Sequence, residues 1–252
     1  MKKETLLDFI SKYNLNGLTE GVVWNIEDKV VTVEFASEDT SILGKVRYED
    51  IDIDDVVFGL KTTTQFKKKL NSLSEDIKIK DIKFNDDKES VSLTIVDSSK
   101  SHKKAIQPLS ATDEDVIDNV YPEQEDDNPF PDINIELNIT PEFVEEFISC
   151  KNAIDRNNIT FITNGSDIKV VFGYSGGNNT DLMEFDTDGN IITPIQPTSF
   201  NSDTLKAVLM NNKDFKTGTI KVAQDTDGVS LMFIDINYDN CNCEYIIPCL
   251  MD

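Results

Sequence analysis

The hydrophobic and polar positions of this sequence follow one pattern twice, first over residues 5–97 and again over residues 140–235. Each half begins with apolar residues at helical spacing, such as Leu6, Phe9 and Ile10 in the first half. Alternating or continuous apolar runs follow and predict strands, and each half ends in a predicted hairpin. A repeat of this length is much longer than a solenoid period, so it predicts a duplicated domain.

The first half is predicted to hold two helices and six strands. Its second helix places Phe66, Leu70 and Leu73 on one face, and Asn85–Lys88 forms a turn between two alternating strands. The predicted elements are a helix over residues 5–13, strands over 22–24, 30–35, 42–48 and 56–60, a helix over 62–73, and strands over 76–84 and 90–96.

The second half opens on strict alternation over residues 133–139, which predicts a strand. Pro141 stands at the first position of the next helix, where proline is favoured, and Asn164-Gly165 is a strong hairpin signal. The further elements are a helix over 140–150, strands over 159–163, 168–173, 180–186 and 191–195, a helix over 203–212, and strands over 217–223, 229–236 and 244–247. Together the halves predict an α+β fold in which each domain packs two helices on antiparallel sheets.

A long polar stretch, residues 98–131, separates the two halves and is interrupted by four prolines. It begins with the basic residues Lys100, Lys103 and Lys104, and it ends in an acidic run. Loops of this length are usually linkers or binding segments. The predicted organisation is a first domain over 1–97, an interdomain connecting segment over 98–131, and a second domain with a C-terminal tail over 132–252.

Composition restricts the possible classes of function. The 252 residues carry a net charge of -23, and such a surface repels nucleic acid unless basic residues concentrate on one face. The only histidine, His102, lies in the connecting segment, and the four cysteines form no CxxC pair, so we expect no metal and no cofactor. The sequence has neither a membrane-spanning apolar run nor a signal-peptide pattern, so we expect a cytoplasmic protein with reduced thiols and no membrane partner.

Four features suggest chemistry but have simpler structural interpretations. Asp186–Gly189 and Asp225–Gly228 both read Asp-Thr-Asp-Gly, yet neither begins an EF-hand loop with its required glycine and glutamate, so both are predicted hairpin turns. Gly173–Gly177 lacks the Lys-Ser/Thr ending of a phosphate-binding loop. Glu145 and Glu146 have no recognisable partner base and are predicted to lie on a solvated helix face. Because no catalytic constellation is present, an enzyme is not expected.

Basic residues are concentrated on the predicted helices. Lys67, Lys68 and Lys69 lie on a helix with no acidic residue between Thr62 and Leu73. Further basic residues lie on or beside the other helices: Lys2, Lys3, Lys12, Lys151, Arg156, Lys206 and Lys213. These residues are either phosphate contacts or ordinary solvated helix lysines, and the sequence pattern alone leaves both interpretations open.

The order of elements, repeated twice around a long connecting segment, resembles that of the DNA polymerase sliding clamps of the two-domain type. Two segments carry the resemblance. Pro129-Phe-Pro131, followed by a strand and by Thr140-Pro-Glu-Phe-Val-Glu-Glu-Phe147, is similar to the entry to the second domain of tailed-phage clamps. Cys243–Asp252 resembles the C-terminal strand and acidic tail of these clamps and of proliferating cell nuclear antigen.

The resemblance implies a duplicated clamp domain and a homotrimeric ring that encircles duplex DNA without reading its sequence. It further implies a processivity factor that a clamp loader places on DNA and that tethers the replicative polymerase, in the host cytoplasm if a phage encodes the chain. The implied DNA-facing residues are Lys2, Lys3, Lys12, Lys67, Lys68, Lys69, Lys151, Arg156, Lys206 and Lys213. The implied pocket for partner peptides is formed by Ile106, Leu109, Tyr245, Ile247, Pro248 and Leu250.

A second hypothesis is an acidic, β-rich phage structural or assembly protein that oligomerises through the duplicated fold. Basic residues gathered on one surface of the helices would favour the clamp over this structural protein. A deep pocket that holds carboxylates with perturbed pKa values would instead favour an enzyme.

Overall fold

The computed structural model describes residues 1–85, 90–100, 102–109, 131–176, 181–226 and 228–250. Within the chain, two compact units can be distinguished. Unit 1 comprises Met1–Tyr121 and Asn240–Cys243, and unit 2 comprises Pro122–Asp239 and Glu244–Asp252. Most of the predicted turn at residues 85–88 and the acidic end of the connecting segment lie outside the described residues.

The described residues of unit 1 form two helices and two antiparallel sheets. One sheet has the strand order β3–β2–β1–β4, and the other has the order β5–β6–β7. The elements are α1 (Lys3–Asn14), a 3-10 turn (Leu15–Gly17), β1 (Val22–Glu27), β2 (Val30–Ala36), β3 (Leu43–Tyr48), β4 (Val56–Leu60), α2 (Thr63–Asn71), β5 (Ile77–Phe84), β6 (Ser90–Asp97) and β7 (Lys104–Pro108).

An aromatic cluster forms the core beneath α1. The ring of Phe9 packs edge-on against that of Trp24, with 4.9 Å between the ring centres, and against Tyr13 at 5.4 Å. The indole N–H of Trp24 donates a hydrogen bond of 3.1 Å to the Tyr13 hydroxyl, so the buried polar atoms have partners. Burial raises the pKa of Tyr13 well above its ordinary value. This cluster fixes α1 to the sheet.

The start of α2 is capped by a residue from outside the helix. The carboxylate of Glu20 accepts a hydrogen bond of 2.9 Å from the backbone N–H of Thr64 and another from the Thr64 hydroxyl. A negative charge at this end also complements the helix dipole. Because Phe66 and Leu70 are fully buried below the helix, Lys68 is left exposed on its far side, while Lys67 and Lys69 lie at the flanks and are half-buried.

The described residues of unit 2 likewise form two helices and two antiparallel sheets. Its sheets have the strand orders β11–β10–β9–β13 and β12–β8–β14–β15–β16. The elements are β8 (Ile133–Asn138), α3 (Pro141–Ala153), β9 (Asn158–Asn164), β10 (Asp167–Phe172), β11 (Met183–Thr187), β12 (Gly189–Ile191), β13 (Thr198–Asn201), α4 (Ser202–Asn211), β14 (Thr217–Gln224), β15 (Ser230–Asn237) and β16 (Cys241–Pro248).

Side-chain caps explain where the helices of unit 2 begin. The Thr140 hydroxyl accepts a hydrogen bond of 3.1 Å from the backbone N–H of Phe143, and Pro141 occupies the first turn of α3. At α4, the Asn201 side chain accepts hydrogen bonds from the backbone N–H groups of Asp203 and Thr204. Both helix starts agree closely with the sequence prediction.

Strand order confirms the predicted duplication. The order β4–β1–β2–β3 in unit 1 corresponds to β13–β9–β10–β11 in unit 2, and β5–β6–β7 corresponds to β14–β15–β16. Each unit also has one helix before its first sheet and one between the two sheets. The predicted fold class, α+β with two helices and antiparallel sheets in each of two repeats, is therefore confirmed.

Three local predictions differ from the structure. β7 lies inside the segment that was predicted to connect the domains. Its buried residues, Ala105 and Gln107, alternate with exposed ones, but the sequence shows no apolar alternation there because Gln107 is polar. The predicted strand 191–195 is replaced by β12 and β13. Asp186–Gly189 is not a hairpin turn, because β11 pairs with β10 whereas β12 pairs with β8. At the second Asp-Thr-Asp-Gly motif, β14 and β15 do form the predicted hairpin.

Candidate nucleic-acid interface

The three lysines of α2 have different surroundings. Lys68 is exposed and makes no hydrogen bond or ion pair with the described residues. The Lys67 ammonium lies 3.3 Å from the amide oxygen of Asn14, and partial burial lowers its pKa. The Lys69 ammonium donates hydrogen bonds of 2.9 Å to the carbonyl oxygen of Ile106 and to the side-chain oxygen of Gln107. Lys68 is thus the lysine of α2 best placed to contact a phosphate.

The lysines of α1 are mostly engaged within unit 1. Lys3 donates a hydrogen bond of 2.8 Å to the carbonyl oxygen of Leu73, and Lys2 forms an exposed ion pair of 2.7 Å with Asp76. Lys12 was predicted to face DNA, but its side chain is only 2% exposed and lies 3.2 Å from the Asp8 carboxylate. That prediction is wrong for Lys12, because its charge is neutralised inside the fold.

A similar correction applies to Lys151 in unit 2. Its side chain is 3% exposed, lies 3.0 Å from the carboxylate of Asp203, and donates a hydrogen bond of 2.7 Å to the carbonyl oxygen of Arg156. Lys151 therefore joins α3 to the start of α4 and does not face DNA. The sequence carried a signal for both corrections, since Asp8–Lys12 and Lys151–Asp155 are spaced four residues apart, as helical ion pairs are.

The remaining basic residues of unit 2 stay on the surface. Lys206 lies 3.3 Å from the side-chain oxygen of Asn152. Arg156 and Lys213 are exposed, and their charged groups make no hydrogen bond or ion pair within the described ranges. Their surroundings are acidic, because α3 also exposes three glutamates: Glu142, Glu145 and Glu146.

The helices of the two units thus differ in charge. Helices α1 and α2 carry five lysines and two acidic residues, whereas α3 and α4 carry two lysines and four acidic residues. Helices α1 and α2 pack against each other, and so do α3 and α4. A polyanion would therefore be attracted by the helices of unit 1 and would find little attraction at those of unit 2.

The residues predicted to form a partner-peptide pocket also separate into two groups. Tyr245 is 1% exposed and Ile247 is fully buried, and the Tyr245 hydroxyl accepts a hydrogen bond of 2.8 Å from Asn212. These two residues belong to the core of unit 2, so their assignment to a pocket wall is wrong. By contrast, Leu250 is 42% exposed and Pro248 is half-buried. In unit 1, Ile106 is 46% exposed and Leu109 is half-buried.

Backbone hydrogen bonds hold the C-terminal tail on unit 2. The N–H of Cys249 donates a hydrogen bond of 2.9 Å to the carbonyl oxygen of Ser230, and the N–H of Leu250 donates one of 2.8 Å to the carbonyl oxygen of Ser199. The tail is thereby fixed beside β13, with the Leu250 side chain directed to solvent. An ordered backbone beside an exposed apolar side chain is a suitable anchor for an extended peptide.

Other chemistry is sparse in the parts of the chain that the structure describes. No group of three or more histidine, cysteine or acidic side chains is arranged to hold a metal ion there. The four cysteines are free, and burial raises the pKa of Cys150. None of the helices in these ranges has the length and apolar character needed to cross a membrane.

The turn after α2 is fixed by one buried carboxylate, which the sequence did not identify. Asp97 is only 1% exposed, and its carboxylate accepts five hydrogen bonds. Ser74 and Ser99 each donate one from the hydroxyl and one from the backbone N–H, and the backbone N–H of Lys100 donates the fifth. These hydrogen bonds hold the pKa of Asp97 well below its ordinary value, and the bond from the Ser74 hydroxyl has the largest effect. The carboxylate thus locks the connection between α2 and β5.

Replacing this carboxylate should lower stability in a pH-dependent way. Asp97→Asn should reduce the melting temperature by several degrees at pH 7, because donors that the carboxylate satisfies lose their acceptor. A lowered pKa stabilises the fold above the unfolded pKa of about 3.9, and this contribution is lost as the pH falls toward the folded pKa. The difference between the unchanged chain and Asp97→Asn should therefore shrink below about pH 4, as measured by thermal denaturation.

The control for this measurement is Asp52→Asn, which removes the same charge from an exposed position. Its melting temperature should follow that of the unchanged chain. Equal melting temperatures for Asp97→Asn and Asp52→Asn at neutral pH would contradict the role given to Asp97.

Comparison with known proteins agrees with this architecture. The chain is similar to the crystal structure of proliferating cellular nuclear antigen from Entamoeba histolytica, with a TM-score of 0.68 and 13% identity over 99% of this chain and 96% of that one. It is equally similar to PCNA of A. fulgidus, solved with the C-terminal region of FEN-1 bound, with a TM-score of 0.68 and 12% identity over 100% of this chain and 97% of the other. No protein-family model and no curated protein matches the sequence. Across nearly its whole length, the chain therefore has the fold of the DNA polymerase sliding clamps.

Proposed function

We propose that this chain is a DNA sliding clamp: a homotrimeric ring that encircles duplex DNA and keeps a replicative polymerase on its template. The single observation that carries the proposal is the clamp fold, which extends over nearly the whole chain. The lysine-rich helix α2, which lacks acidic residues, supports it. In this function the chain has no catalytic role; it acts inside the cell by topology and by sequence-independent phosphate contact.

Two unlike sheet edges support the assembly of a ring. In unit 1, β7 is the outer strand of its sheet, and Lys103, Lys104 and exposed Ile106 lie on or beside it. In unit 2, β11 is an outer strand, and the eight residues 181–188 around it include four acidic side chains and exposed Met183. A basic edge that meets an acidic edge of the next copy gives a head-to-tail contact, which closes into a ring when the rotation allows.

Contact with DNA should come mainly from unit 1. Lys68 offers an unpaired ammonium on α2, and Lys67 lies beside it with only an amide partner. The acidic residues on α3 and α4 would repel phosphates. Arg156 and Lys213 remain as exposed cations of unit 2 that make no ion pair with the described residues. A ring held on DNA by a few cations can move along it, because each phosphate contact is weak and carries no sequence information.

Partner proteins should bind at the C-terminal tail. The A. fulgidus protein was solved with the C-terminal region of FEN-1 bound, which shows that a protein of this fold accepts a peptide segment. In this chain, the exposed side chain of Leu250 beside Pro248 on an ordered backbone provides such a place in unit 2. A polymerase and a clamp loader are the proposed partners.

Changing the tail should weaken partner binding without unfolding the chain. We expect Leu250→Asp to lower the affinity for peptides selected by display on the unchanged chain by about tenfold or more, because a charge replaces the apolar anchor. Its melting temperature should change little, since the side chain is already exposed. Isothermal titration calorimetry with the selected peptides measures the affinity, and differential scanning calorimetry of the same samples measures the melting temperature.

Ile192→Asp is the matched control, because Ile192 is a 58% exposed apolar residue of the same unit away from the tail. It should leave peptide affinity unchanged. If every selected peptide bound Leu250→Asp as tightly as the unchanged chain, the partner site would lie elsewhere.

The proposed function is tested by primer extension on a singly primed circular template. The polymerase and the clamp loader are purified together from the source cells, and the length of product per binding event is measured with and without this chain. Longer products that depend on both the chain and the loader support the clamp. Products of unchanged length, together with recovery of the chain in assembled particles, would instead support a structural protein.

A further inference from the structure

Two strands of unit 2, β8 and β12, have no counterpart among the described residues of unit 1. In unit 2, β8 lies between β12 and β14, where Ile135 is opposite Val222 and Leu137 is opposite Ile220. Both β8 side chains are buried, at 0% and 1% exposure. Strand β8 thereby closes the outer edge of β14 and covers its apolar residues.

In unit 1, the corresponding edge of β5 is covered only at its beginning. The N–H of Lys3 donates a hydrogen bond of 2.8 Å to the carbonyl oxygen of Glu75. In unit 2, the N–H of Ile139 donates an equivalent bond of 2.8 Å to the carbonyl oxygen of Gly218. This shared hydrogen bond aligns Ile77 with Ile220, and Met1 pairs with Ile77 through the backbone. Past Ile77, no strand among the described residues pairs with the outer edge of β5.

The uncovered edge leaves apolar side chains accessible. By the same alignment, Ile79 corresponds to Val222, which is fully buried under β8, whereas Ile79 is only half-buried. Phe84, at the end of the strand, is 54% exposed. A groove of about 510 Å³ runs beside this edge. One wall is formed by Lys78–Ile82 and Phe84 of β5, and the other by Asp52–Val56, which end at the first residue of β4. In unit 2, the place between these two walls is occupied by β8.

The charges along this edge indicate which kind of strand would pair with it. Lys78 corresponds to Lys221, and the residue of β8 opposite Lys221 is Glu136. Lys78 and Lys80 line the groove, are exposed, and make no ion pair with the described residues. Four aspartates line the same groove: Asp52, Asp54, Asp55 and Asp81. A fitting strand therefore carries its acidic residue only opposite Lys78 and is otherwise uncharged. The exposed lysines and the register shifts of β5 disfavour pairing with an uncharged strand edge of another molecule. A strand that carries a carboxylate opposite Lys78 would turn the same lysine into a partner.

We propose that the outer edge of β5 binds an extended segment of a partner protein, which adds as an antiparallel strand in the place that β8 holds in unit 2. The segment has aliphatic residues at alternate positions, to cover Ile79 and its neighbours, and an acidic residue between them, opposite Lys78. Backbone hydrogen bonds to β5 supply affinity, and the alternating side chains supply selectivity. This site is separate from the C-terminal tail and does not depend on the proposed clamp function.

The chain itself provides the probe, because residues 132–139 form β8 and its flanks and carry both features. A synthetic peptide of this sequence, blocked at both ends, is titrated into the chain and followed by fluorescence anisotropy. We expect saturable binding, about tenfold weaker binding to Lys78→Glu, and recovery when Lys78→Glu meets a peptide with Glu136→Lys. Hydrogen exchange should show new protection of residues 77–84 and none in β14.

Lys83→Glu is the matched control, since Lys83 is an exposed lysine of the same strand that does not line the groove. It should bind the peptide as the unchanged chain does. Absence of saturable binding up to about 1 mM, the upper end of measurable weak affinities, would overturn the proposal, and so would protection of β14 in place of β5. A change in the mass of the chain caused by Lys78→Glu without peptide would also overturn it, because the occupant would then be a second copy.

Discussion

A chain that carries Lys104→Glu and Ile106→Asp should sediment as a monomer of about 28 kDa, whereas the unchanged chain should sediment as a trimer of about 85 kDa. The double substitution places two negative charges on the basic edge strand β7. In the proposed ring this edge meets the acidic residues around β11 of the next copy. Like charges at such an interface repel each other, and the exposed apolar side chain of Ile106 is removed as well.

The measurement is sedimentation equilibrium over a range of protein concentrations. Ile192→Asp, an exposed position of unit 2 outside both edges, should keep the trimer. A charge exchange gives a sharper test: Lys104→Glu and Asp186→Lys should each weaken the trimer, and the two together should restore part of it. A trimer that persists in the Lys104→Glu, Ile106→Asp variant would show that β7 is not an edge of the interface.

Replacing Lys68 with Glu should have the second large effect, on DNA binding. Each ring presents three copies of Lys68, so the substitution removes up to three cations that neutralise phosphates and adds three negative charges. The slope of log affinity against log salt concentration should fall by up to about 2.7, at about 0.9 for each phosphate that is no longer neutralised. Binding to a 30-base-pair duplex at low salt, followed by anisotropy, measures both the affinity and this slope.

Lys68→Glu is preferable to a triple replacement of the α2 lysines, because Lys69 also holds the backbone of Ile106. A triple variant would disturb β7, and weaker DNA binding could then not be distinguished from disassembly of the ring. Lys29→Glu provides the control, as an exposed lysine of unit 1 in the turn between β1 and β2. If Lys68→Glu and Lys29→Glu reduced DNA affinity equally, α2 would have no special role.

Much of the fold could be predicted because local pattern and tertiary burial agree. The apolar stripe of α2 predicted from Phe66 and Leu70 is the face that is fully buried. Pro141 and Asn164-Gly165 were correct signals because helix starts and tight turns are determined by a few adjacent residues. The prediction failed for β7, whose buried Gln107 is satisfied by hydrogen bonds with Lys69 and Thr62, which are distant in sequence.

The surface assignments were less predictable, since a side chain's environment depends on what packs over it. Tyr245 and Pro248 are three residues apart, yet the first is buried with its hydroxyl bonded to Asn212 and the second is accessible. Among the lysines, Lys12 and Lys68 are both on helices of unit 1. The spacing of Asp8 and Lys12 was a local signal for their ion pair, but only the packed fold shows that the Lys12 side chain is buried whereas Lys68 is exposed.

The sequence by itself determined the duplication, the positions of the four helices and the concentration of lysines on α2, because periodicity, caps and composition are local properties. Only the tertiary structure decided which lysines keep a free charge, which tail residues are accessible, and where each sheet has an open edge. These properties depend on interactions between residues far apart in the chain, such as Lys151 with Asp203 or Asp97 with Ser74. The open edge of β5 is the clearest case, since it became visible only when the strand orders of the two units were compared.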